Sequence, residues 1–160
     1  MVHTYKIVKP AQISYQGVFD FKELLNVIKE FFKRHDYDLS EKNYNTSTGE
    51  GNAKNTIVLW EFDRKVDDYN QVFARLKFEL MNYKEGYVDS KKIVDGNIII
   101  TMEAEVQRDY DIKWKNAPIK RFVRALYDRY IDEPKNDRIF DEGKKLIENL
   151  KKDIKQYLHI

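Results

Sequence analysis

Two arginines stand where this sequence otherwise places apolar side chains. In the stretch Asp95 to Lys115, DGNIIITMEAEVQRDYDIKWK, residues Ile98, Ile100, Met102, Ala104, Val106, Tyr110, Ile112 and Trp114 alternate with polar ones. Arg108 falls in the apolar phase, and the alternation continues beyond it without a slip. In TIVLWEFDRKV, Arg64 sits the same way between Phe62 and Val66. A buried, unpaired guanidinium costs too much to leave alone, so two readings are open. In one, both arginines lie near a sheet rim, with aliphatic stems packed and charged heads reaching water or a helix carboxylate. In the other, one or both hold the acidic end of a ligand, for which the planar fork suits carboxylate or phosphate. Trp60, Tyr110 and Trp114 share the apolar phase and would then line the same site.

Other side chains able to do chemistry are scattered. His3, His35 and His159 lie far apart with no ligand spacing, and there is no cysteine, so neither a metal nor a cofactor site is expected. Glu103, Glu105, Asp109 and Asp111 could serve as acid and base, but the alternation puts them on the polar face of a strand. Gly49 and Gly51 in GEGN lack the strand-to-helix context of a phosphate loop. The aromatic residues could stack on bases, yet Trp60, Tyr110 and Trp114 sit in the core phase. No constellation supports catalysis, and an enzyme is the weaker expectation.

Composition agrees with this. Lys+Arg 29 against Asp+Glu 27 leaves a formal net charge of +2, which gives little long-range pull on nucleic acid. At 160 residues and 42% hydrophobic the chain suits a single domain, 1–160, with a real core. Without an apolar leader after Met1 or a run of roughly 20 apolar residues, the sequence reads as cytoplasmic, with no transmembrane segment.

The elements that must position these residues follow from periodicity. Met1 to Val18 reads as a short strand or strand pair broken at Pro10. Phe21, Leu24, Leu25, Ile28, Phe31 and Phe32 predict a helix over 20–35, capped by Asp20. A weak strand in DYDLSEKNYN and a polar loop in NTSTGEGNAKN follow. Alternation predicts strands at 57–66, 70–82 and 97–114, with a turn at Asp67-Asp68. Asp95-Gly96 is the favoured hairpin dipeptide, with Asp89-Ser90 as another turn. Helices are expected at 119–131 and 138–158.

One-sided strands need a cover, so the fold class is α+β: a curved, mainly antiparallel sheet packed against an N-terminal helix and a long C-terminal helix. This order resembles the helix-grip fold of the START and Bet v 1-like superfamily, with an extra helix at 119–131. The residues Trp60-Glu61, Val66-Asp67-Asp68-Tyr69, Asp95-Gly96, Asp109-Tyr110 with Trp114, and Tyr127-Asp128-Arg129-Tyr130 also resemble a family of small uncharacterised archaeal proteins, which implies no activity. The helix-grip likeness implies a small apolar or amphipathic ligand, acidic if the arginines bind it, between sheet and C-terminal helix. Its alternative is a filled core on a module that docks on a protein or an RNA–protein assembly.

Overall fold

A computed structural model describes residues 3–108 and 132–160. The expected helix at 119–131 and the last part of the strand expected at 97–114, with Tyr110 and Trp114, lie outside the described residues. Among the described residues five strands and two α-helices are seen: β1 (His3–Phe19), α1 (Phe21–Arg34), β2 (Asp38–Thr48), β3 (Lys54–Lys65), β4 (Asn70–Val88), β5 (Lys91–Arg108) and α2 (Asp132–Leu158), with a short 3-10 turn at Glu50–Asn52. The strands pair antiparallel in the order β1-β5-β4-β3-β2.

Helix α1 forms where its periodicity places it. The Asp20 carboxylate accepts from the Glu23 amide at 3.0 Å, satisfying an N-terminal donor that has no intrahelical partner. Its buried stripe, including Leu24, Ile28 and Phe32, meets the sheet. Strand β1 differs from the expected broken pair. It is one edge strand, and Pro10 falls in an irregularity between Val8 and Ala11, where a missing donor is tolerated. The polar loop is also shorter than expected, because β2 runs on to Thr48.

The hairpin between β4 and β5 corrects the expectation at Asp95-Gly96. The turn is Asp89-Ser90, with φ of 51° and 69° at the two central residues, the left-handed pair that a two-residue hairpin needs. Gly96 lies within β5, opposite an irregularity between Met81 and Lys84. A Cβ there would sit 2.6 Å from Tyr83 Cβ and 2.7 Å from Tyr83 Cα. This glycine therefore serves a close backbone approach rather than a turn. The turn at Asp67-Asp68 is present, with the Asp67 carboxylate accepting from the Tyr69 and Asn70 amides at 2.7 Å each.

One sheet face is apolar except toward its ends. Val58, Trp60 and Phe62 from β3, Leu76, Phe78 and Leu80 from β4, and Ile98, Ile100 and Met102 from β5 are all buried on it. Helix α2 packs on β1 and β5 and touches α1, and Tyr157 donates its hydroxyl to the Asp20 carbonyl at 3.0 Å, tying the end of α2 to the start of α1. Among the described residues no helix is long and apolar enough to cross a membrane.

Two substitutions test this packing. Leu150 is fully buried, so Leu150→Ala should lower the unfolding free energy by about 2–5 kcal/mol in a denaturant titration. Gly96→Ala should cost about 1–3 kcal/mol, because the Tyr83 backbone cannot move aside as a flexible side chain would; an unchanged midpoint would remove the close-approach account.

Candidate functional site

Trp60 belongs to the core. It is 2% exposed, lies edge-on to Phe62 and Phe78 at 5.8 and 5.2 Å, and donates its indole N–H to Glu41 at 3.1 Å. Phe32 of α1 stacks on Phe62 with ring centroids 3.9 Å apart. Among the described residues, aromatic side chains therefore fill the space between sheet and helices where the sequence suggests a cavity. Trp60 remains near charge, since Lys29 Nζ stands 5.1 Å from its ring centroid.

The two arginines come to the same end of the apolar face. Arg64 pairs with Val72, whose other partner is Val106, while Arg108 lies opposite Asn70 and His3. Arg108 is half-buried, with its guanidinium 5.1 Å from the Tyr5 ring centroid, so its charge rests on an aromatic face. Arg64 is exposed and makes no ion pair among the described residues. It lines a groove of about 280 Å³ with Tyr37, Val66, Val72, Ile139, Glu142, Lys145 and Leu146, between this end of the sheet and α2. The rim position is thus the observed one for Arg64, and an apolar floor lies directly beneath it.

Electrostatics in this groove are mixed. Burial pushes the Tyr37 phenol up to about 12; Arg64 opposes the shift and Glu142 adds to it. His35 uses Nδ1 on the Phe31 carbonyl at 2.7 Å and packs its ring on Phe31 at 4.6 Å. Tyr37, Glu142 and Lys145 escape any reading of motifs, because they come from the residue just before β2 and from α2 and carry no shared spacing. Only the contact of α2 with the sheet assembles them.

The outer face of the sheet carries the carboxylates of β5, as its alternation requires. Glu105 is buried against Arg75, which also reaches Glu61 at 2.9 Å, so that arginine is held by carboxylates from both neighbouring strands. Burial alone would lower the Arg75 pKa, but the hydrogen bonds and charges of Glu61 and Glu105 together raise it. Among the described residues no three His, Asp or Glu side chains form a cluster able to hold a metal ion. Compared with protein-family models and with curated proteins, the chain matches none.

The tyrosines make a pH dependence measurable. Burial raises Tyr37 and Tyr157 from 10.0 to about 12, with Asp20 and Glu23 adding to the shift at Tyr157. A raised phenol keeps its proton longer in the folded chain than in the unfolded one. Its stabilisation is therefore complete below pH 10.0 and is lost as pH climbs toward about 12. Denaturation midpoints across that window should fall less steeply for the Tyr37→Phe, Tyr157→Phe double variant than for the parent chain.

Proposed function

We propose that this chain is a binding protein for a small amphipathic ligand with an acidic end, held between the sheet and α2 with Arg64 at its head. The observation that carries this reading is Arg64 itself. Its guanidinium stands in the inward phase, at the mouth of an apolar-floored groove, with no carboxylate in ion-pair range among the described residues. A planar fork with unfilled donors beside Val66, Val72 and Leu146 suits a short acyl carboxylate. Strand order β1-β5-β4-β3-β2, with α1 between β1 and β2 and α2 after β5, supports the likeness to the helix-grip superfamily. Packing of Trp60, Phe62 and Phe78 argues that any such ligand lies at the end of the sheet rather than deep beneath α2.

A second reading draws on that same packed core: an interaction module whose surface docks on a protein. Titration calorimetry separates the two. Wild type should bind decanoate more tightly than decanol, and Arg64→Met should weaken decanoate by about tenfold or more. Because the change strands no partner charge, stability should move by no more than about 0.5 kcal/mol. If wild type binds neither amphiphile, and chain purified from its own host retains a second polypeptide in native mass spectrometry, the interaction module replaces the carrier.

A further inference from the structure

We infer that a second recess, at the opposite end of the apolar face beside α1, is a separate binding site for an aromatic anion. It does not rest on the Arg64 reading, since the two grooves share no residue. Its volume is about 530 Å³, within the range of sites that enclose a small organic molecule.

The floor is apolar, formed by Phe21, Leu25, Leu80 and Val94. One wall is the ring of Tyr83, which is 5% exposed. Its hydroxyl bonds Thr56 Oγ1 at 2.8 Å, and Thr56 in turn bonds Thr46 Oγ1 at 2.9 Å. This chain of hydroxyls anchors the phenol, so the ring is a surface fixed before any ligand arrives. Tyr44 of β2 also lines the recess, 53% exposed, and its phenol is close enough to Tyr83 to feel it: burial raises the Tyr44 pKa, with Tyr83 adding to the shift. Two tyrosine rings over an apolar floor favour a flat aromatic body, which gains by stacking or edge contact.

The mouth selects for negative charge. Lys92 is already held by Glu85 at 3.0 Å, and Glu85 also meets Lys54 at 3.5 Å. Lys22, Lys29 and Lys91 line the same recess without a carboxylate in ion-pair range among the described residues. Among the acids lining it, Glu85 is engaged by lysines and Asp20 caps α1 through the Glu23 amide, leaving Glu23 against three ammonium groups outside ion-pair range of any described carboxylate, of which Lys29 also stands over the Trp60 ring. Anion selectivity is assigned to the lysines rather than to the helix end, where the Asp20 carboxylate already holds the Glu23 amide.

Fluorescence titration with 8-anilinonaphthalene-1-sulfonate tests this, with N-phenyl-1-naphthylamine as the uncharged counterpart. Wild type should bind the sulfonate saturably and at least about tenfold more tightly than the amine. Asn26→Trp, an exposed position on the rim of the recess, should fill it and weaken the sulfonate by a similar factor, while leaving decanoate binding unchanged. Arg64→Met should leave sulfonate binding unchanged. The double variant Lys29→Gln, Lys91→Gln changes only exposed side chains, and should weaken the sulfonate several-fold while sparing the amine; it decides the matter if Asn26→Trp does not fold. Equal binding of sulfonate and amine, or full sulfonate binding by a folded Asn26→Trp or by the lysine double variant, overturns the proposal.

Discussion

The structure depends on taking one continuous apolar sheet face out of water. Three central strands present Trp60, Phe62, Phe78, Leu76, Ile100 and Met102 to the same side, and each is at most 2% exposed. No single helix is wide enough to cover such a surface, so the task is divided. Helix α1 inserts Phe32 flat against Phe62, and α2 lays Ile147, Leu150 and Ile154 over the region near β1 and β5. Tyr157 joins the two covers at one end. Burial of apolar area on this scale supplies most of the driving force, while the interlocking rings help give the core its single arrangement.

The recesses follow from a mismatch of lengths. A helical residue advances about 1.5 Å and a strand residue about 3.3 Å. Helix α1 has 14 residues, whereas β4 has 19 and β5 has 18. The strands outrun α1, and the apolar phase of β3, β4 and β5 reaches positions it does not cover. At those positions the sequence changes character: Arg64 and Arg108 at one end, lysines and tyrosines at the other. Residues with an apolar body and a polar tip suit the boundary between a packed core and water, and the same combination suits an amphipathic ligand.

Register across the long hairpin rests on local geometry that a single strand does not reveal. Asp89 and Ser90 take left-handed conformations at the turn, and the irregularity at Met81 to Lys84 brings the Tyr83 backbone against Gly96. That close approach seats the Tyr83 ring where Thr56 can bond it. On the outer face, Arg75 bridges Glu61 of β3 and Glu105 of β5, so the same register also aligns charges across three strands. Burial of Glu105 makes this contact more than a solvated surface pair.

By itself the sequence determined the α+β class, the span of α1, the inward phase of β3, β4 and β5, and the placement of Arg64, Arg108 and Trp60 on the apolar side. All of these are short-range consequences of periodicity and capping, which a few neighbouring residues specify. Tertiary structure decided the rest. Asp95-Gly96 has the composition of a turn, but the approach of Tyr83 made its glycine a packing requirement, and the turn went to Asp89-Ser90. Pro10 reads as a break, but an edge strand with an irregularity absorbs it. Whether Trp60 lines a cavity or fills a core depended on Phe62 of its own strand and Phe78 of the next, which meet its ring, and on Phe32 of α1, which stacks on Phe62 behind them. The groove around Arg64 joins residues from 35 to 149, and such convergence is a property of packed elements, invisible to any local pattern.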